Sequence, residues 1–176
     1  MSLKSTVHKF RVSLNDLNRE VFESADLTVA LHPSETPERM VVRVLAWCLN
    51  AHSDLVFCKG LSDVDEPDLW LRALDDTVTL WIEVGEPTRE RLKRASRLSD
   101  VVRVYSFNAK APTWWQLEHG ARSASGSEVF QFDWPAVASL AALVERTNDW
   151  SVTISEQSLF VSTSQGDAAL DLEQLA

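Results

Sequence analysis

The stretch EPDLWLRALDDTVTLWIEVGEP, Glu66 to Pro87, decides how the rest of the chain is read. Two short apolar runs, Leu69–Ala73 and Val78–Val84, flank Asp75-Asp76-Thr77, and the second run is rich in β-branched and aromatic residues. That composition predicts a hairpin of two strands closed by an acidic turn. With Asp75 and Asp76 as the central turn residues, Asp68 falls opposite Glu83 and Trp70 opposite Trp81. The period-2 pleat puts these four on one face and Leu69, Leu71, Leu80 and Ile82 on the other. Directly opposed carboxylates repel and destabilise an ordinary sheet. A bound cation or a shared proton would remove the repulsion. The plainer alternative places Asp68 at the rim and Glu83 at an exposed strand end, and a slip of one residue would separate them onto opposite faces.

Outward from the hairpin, composition sets the class. At 176 residues the chain is expected to form one domain, residues 1–176, with room for a sizeable core. No uncharged apolar run reaches the ~18 residues that suggest a membrane helix, and the N-terminus MSLKSTVHKF lacks a signal peptide's apolar centre. Cys48 and Cys58 each sit among apolar residues, which points to buried free thiols and a cytoplasmic protein. The net charge of −9 argues against a protein that coats nucleic acid indiscriminately. Its distribution is uneven. Across Thr88–Arg97 five basic residues (Arg89, Arg91, Lys93, Arg94, Arg97) meet only Glu90, whereas Arg146 stands alone among the carboxylates from Ser123 to the end.

Upstream, residues 3–14 alternate with Val7, Phe10, Val12 and Leu14 as inward positions, and VFESADLTVAL reads as a second strand antiparallel to the first. His8 reads as a solvated strand residue. A helix over Ser34–Ala51 has Ser34 as its cap, Pro37 in the first turn, and Glu35 and Glu38 against the positive dipole end. Leu55–Gly60 is a short strand. The acidic loop at Asp63, Asp65 and Glu66 lacks the spacing of a calcium-binding EF-hand.

Downstream, Thr88–Leu98 is a polar helix and Val101–Asn108 a strand, a spacing that suggests a parallel crossover from the hairpin. A short helix from Pro112 to Gly120 carries Trp114 and Trp115 facing two directions, so at least one ring is expected to be exposed. EVFQFDW is a strand, PAVASLAALVER a helix, and the tail a hairpin with a trailing strand.

The resulting fold class is α/β, a mixed central sheet with an N-terminal β-pair and C-terminal α+β additions. Its middle, residues 34–108, has the order αβββαβ and is similar to the PD-(D/E)XK nuclease-like core. Over nearly its full length the chain also resembles the bacterial YaeQ family, through HPSETPERM, LAW, FCKGL, DEPDLW and LWIEVGEP. The YaeQ resemblance implies a link to transcription elongation and a transcription-related protein as partner; the nuclease-like core implies nucleic acid, and the lack of a long apolar run implies no membrane.

The nuclease-like pattern carries over with one gap. Asp68 matches its acidic residue on the second core strand, and Glu83 the acid on the third, where the pattern next expects a lysine two residues on. This chain has Gly85 there. Lys93 on the following helix, or Lys59, could replace it, and Glu38 would complete a set with Asp68 and Glu83 for magnesium or manganese. Arg89, Arg91 and Lys93 would meet phosphates. Phosphodiester cleavage needs a hard cation on carboxylates and a nearby cation for charge on phosphorus. The resemblance thus implies a magnesium-dependent nuclease, with Asp68, Glu83 and Lys93 catalytic. The alternative is a catalytically degraded nuclease fold that binds protein or nucleic acid, and the missing lysine favours it.

Overall fold

The computed structural model describes residues 4–59, 63–118 and 126–176. It is a mixed α/β fold with ten strands and four helices among the described residues. The chain forms two compact units, Met1–Leu49 with Asp133–Leu172, and Asn50–Phe132 with Glu173–Ala176.

In the first unit, β1 (Thr6–Asp16) and β2 (Val21–Leu31) form the expected antiparallel pair. Phe10, Val12 and Leu14 are buried, but Val7 is 47% exposed rather than inward. The reason is phase: the buried positions are all even, and Val7 is odd. Helix α1 (Pro37–Leu49) buries the unbroken run Met40–Cys48. Its cap is Thr36 and not Ser34: the Thr36 hydroxyl accepts the Arg39 N–H at 3.3 Å, while Ser34 Oγ lies 2.6 Å from His32 Nδ1. Proline fits the first helical position, so the residue immediately before Pro37 becomes the cap. Helix α4 (Trp134–Ala141) packs on α1 and ends earlier than its pattern suggested. The strand order is β2-β1-β8-β9-β10, with β8 (Thr147–Ser155), β9 (Ser158–Thr163) and β10 (Gly166–Gln174). β8 pairs parallel with β1, Val12 beside Trp150.

In the second unit, β3 (Leu55–Phe57), β4 (Leu69–Arg72) and β5 (Val78–Val84) run antiparallel in turn. β3 is shorter than expected, and Gly60 lies outside the described residues. Helix α2 (Arg89–Leu98) then leads to β6 (Ser99–Ser106), which pairs parallel with β5 as the spacing predicted. β7 (Glu128–Phe132) is parallel to β6, and the chain's last residues lie beside it through Leu175 N–H to Val129 O at 2.7 Å. Helix α3 (Ala111–Glu118) carries the tryptophan pair, and Gly120 is outside the described residues. Trp114 is buried, its indole N–H donating to Pro87 O at 3.1 Å. Trp115 is half-buried rather than exposed, because it packs against the same apolar cluster as Trp114.

The hairpin turn differs in detail from the symmetric expectation. Ala73 N–H donates to Thr77 O and Asp76 N–H to Ala73 O, so Leu74, Asp75 and Asp76 form a three-residue loop. Asp76 takes the left-handed conformation, φ 65°, that such loops require. The closing pair is one residue out of the expected register. A bulge between Leu71 and Arg72 then restores it by leaving Thr79 without a cross-strand partner, and Trp70 stands opposite Trp81.

Candidate functional site

Restored register decides where the carboxylates go. Trp81 and Glu83 are two apart on β5 and share a face. The Trp81 indole N–H donates to Glu83 Oε1 at 2.9 Å, and Glu83 is only 5% exposed. Asp68 stands just before β4, 2% exposed, and its Oδ2 accepts the Val84 N–H at 2.8 Å. The tryptophans meet edge-to-face, with ring centroids 6.4 Å apart and Arg72 lying over Trp70. Asp68 thus stands level with Glu83 at the open end of the hairpin, its N–H donating to Ile82 O at 3.0 Å and its carboxylate accepting from the residue after Glu83.

The sequence turns sharply after Gly85, whose φ of 116° suits a residue without Cβ. The Thr88 hydroxyl caps α2 by accepting the Arg91 N–H at 3.2 Å. Capping fixes the first turn, and Arg91 is thereby aimed back at β5. Its Nε donates to Glu83 Oε1 at 2.8 Å, Nη1 to Val64 O at 2.7 Å and Nη2 to Glu66 O at 3.0 Å. One turn on, Arg94 Nη2 reaches Asp65 Oδ1 at 2.6 Å. The acidic loop, residues 63–66, is therefore fastened to α2 by two arginines. Glu66 is held from its other side as well, its Oε2 accepting the Lys59 N–H at 3.1 Å.

Burial pushes the Glu83 carboxyl up to about 7, and the Asp68 charge pushes the same way. The Arg91 charge and the bonds from Trp81 and Arg91 pull it back without cancelling the rise. The half-buried Cys58 thiol is pushed up to about 12, chiefly by burial and then by the charges of Glu66 and Asp68, so it is a poor nucleophile at neutral pH. Burial likewise holds Cys48 at about 12. Both cysteines are free, as their surroundings suggested.

Of the residues singled out from the sequence, Asp68, Glu83 and Arg91 come together. Lys93 does not join them: two positions beyond Arg91 it lies on the opposite side of α2 and is exposed. Arg89 and Lys59 are also exposed. Glu38 lies in the first turn of α1, in the other unit. The bond from Arg91 to Glu83 was missed because Arg91 reads as one of five cations in a polar helix. The distance of eight residues, with a capping threonine between, is the signal that could have found it. Similarly overlooked was Glu35, which is buried and accepts Arg39 Nη1 at 2.7 Å and Arg43 Nη2 at 2.6 Å. Arg39 and Arg43 lie one turn apart on α1, and Glu35, just ahead of the Thr36 cap, reaches both.

These residues do not make a good divalent-cation site. Glu83 Oε1 already accepts two N–H groups and Asp68 Oδ2 one. Among the described residues, no group of three or more His, Cys, Asp and Glu is placed to hold a metal ion. A hard cation would want several unengaged oxygens converging on one point.

Comparison with known proteins gives a consistent result. The family model described as YaeQ protein matches residues 1–172. An uncharacterised protein YaeQ of Salmonella typhi is 36% identical over 174 residues, covering 98% of this chain and 96% of its own. The crystal structure of the YaeQ protein from Xanthomonas axonopodis pv. citri superposes with a TM-score of 0.93 at 33% identity, covering 97% of this chain and 98% of that one. That of the YaeQ protein from Pseudomonas syringae gives 0.89 at 37% identity, with 98% and 96% covered. The chain belongs to the YaeQ family.

Proposed function

We propose that this chain is a non-catalytic module on a PD-(D/E)XK nuclease-like core that binds nucleic acid through the outward side of α2. The order in the second unit supports such a core: three antiparallel strands, then a helix, then a strand parallel to the third. The observation that carries the reading is the bond from Arg91 to Glu83. A nuclease would aim a cation at the scissile phosphate beside its carboxylates. Here the Nε of the cation beside Glu83 is bonded to the carboxylate itself, so that carboxylate is neutralised by the protein rather than left open to a metal ion. On another side of α2, Arg89, Lys93 and Arg97 recur every four residues, all exposed, so the charges climb by about 6 Å each. Such a stripe can follow a phosphate backbone with no chemistry performed.

The test is binding of a labelled single-stranded oligodeoxynucleotide, followed by anisotropy at several salt concentrations. Reversing Arg89, Lys93 and Arg97 to glutamate should weaken binding at least about tenfold and reduce the salt slope by about 2, the share of three contacts to a single strand. Magnesium or manganese should yield no cleavage product. Undiminished binding by the triple variant would overturn the reading, as would cleavage that Glu83→Gln abolishes.

One observation favours a second reading, metal-dependent phosphodiester cleavage at Asp68 and Glu83. Burial raises the Glu83 carboxyl first, and the Asp68 charge adds to the rise, a repulsion that a bound cation would relieve. On that reading magnesium raises the melting temperature of the wild type and not of Asp68→Asn.

A further inference from the structure

Arg91 and Arg94 stand one turn apart on α2, and neither belongs to the outward stripe of Arg89, Lys93 and Arg97. What they hold is the chain's own acidic loop. Two backbone carbonyls, of Val64 and Glu66, accept from Arg91, and the Asp65 carboxylate accepts from Arg94. Oxygen acceptors presented to two successive guanidinium groups, one of them anionic, are what a stretch of phosphodiester backbone would present.

We infer that the Arg91–Arg94 side of α2 is a second phosphodiester-binding subsite, occupied by residues 63–66 as an internal competitor. The inference rests on the nucleic-acid reading of α2 and adds how that binding is restrained. The two arginines are held unequally. Arg91 is 29% exposed at the side chain and bonded to a buried carboxylate, so it keeps its place on Glu83. Arg94 and Asp65 are 57% and 68% exposed at their side chains. An ion pair that open to water is worth little, because solvent screens it and two long side chains lose freedom to form it. A phosphate arriving along the outward stripe exchanges with Asp65 on Arg94 at small cost. It then displaces the carbonyls of Val64 and Glu66 from the two Nη groups of Arg91, leaving the Nε bond to Glu83 intact. The loop is thus a built-in mimic of the ligand: its acids weaken binding to short or sparsely charged partners and yield to a long polyanion that already engages the outward stripe.

The experiment is a double-mutant cycle on the full chain, with the same labelled single-stranded oligodeoxynucleotide as probe. Asp65→Asn should tighten binding about three- to fivefold, the gain expected from removing an exposed competing charge. In an Arg94→Ala background the same substitution should give no gain, because the competed-for cation is gone. Equal tightening in both backgrounds would mean a general charge effect and would overturn the inference, as would no tightening by Asp65→Asn alone. Asp65→Ala, with thermal melts of every variant, separates a loss of folding from a change in binding. If the triple reversal of the outward stripe abolishes binding and the cycle shows no coupling, the module reading stands and the internal competitor falls. If the wild type binds no oligonucleotide at low salt, both fall.

Discussion

Glu83 is a carboxyl group whose titration the fold moves up to about 7, since burial and the Asp68 charge outweigh its arginine. A carboxyl raised in the folded state stabilises fully below its unfolded value, near 4.5, and that stability is lost as pH rises through about 7. The whole excursion is worth about 3 kcal/mol. Urea midpoints should therefore fall from pH 5 to pH 8 in the wild type, and Glu83→Gln should flatten that fall. A fall of undiminished size in Glu83→Gln would assign it to other groups. Asp68→Asn keeps an oxygen for the Val84 N–H and removes one cause of the rise, so the loss should move to lower pH. The same melts, run on Asp68→Asn, show the displacement directly.

At the scale of single elements, two positions test how the chain starts and turns. Thr36→Ala should cost about 1 kcal/mol by removing the cap of α1, and Ser34→Ala much less. A larger effect at Ser34 would contradict the cap assignment. In the hairpin, Asp76 holds a left-handed conformation that costs an L-residue about 1 kcal/mol or more. Asp76→Gly should be neutral or stabilising by up to about 1 kcal/mol, and Asp76→Val clearly destabilising, both read from urea midpoints. The bulge at Thr79 is the reason the turn can be one residue longer than a symmetric reading allows while Trp70 still meets Trp81.

Across the whole molecule, the two ends of the chain are structural members of sheets built elsewhere in the sequence. Residues 173–176 belong to the second unit, where Val129 N–H donates to Ala176 O at 3.0 Å and Leu175 packs on the Trp81 cluster. Deleting these four residues should destabilise the protein by about 2 kcal/mol or more, from three backbone bonds to Val129 and a partly buried leucine. A thermal melt unchanged by the deletion would show that the tail contributes nothing. At the other end, β1 lies between β2 and β8, so residues more than a hundred positions apart share one parallel ladder.

What the sequence determined by itself was local. Alternation at Phe10, Val12 and Leu14, the apolar face of α1, and the facing tryptophans of the hairpin all follow from periods of 2 and 3.6 residues acting over short stretches. Asp68 and Glu83 come level only because the bulge at Thr79 compensates a turn one residue longer than the symmetric reading supposed, so that juxtaposition was not legible from the turn alone. Tertiary structure decided the rest. The parallel pairing of β1 with β8 has no local signature, because nothing in either strand encodes a partner that distant. Arg91 looked like a surface cation until the capped turn at Thr88 delivered it to a buried carboxylate. A charge declares its sign in the sequence, but its partner is set by where the backbone carries it, and whether it faces water or Glu83 is settled only when the helix packs.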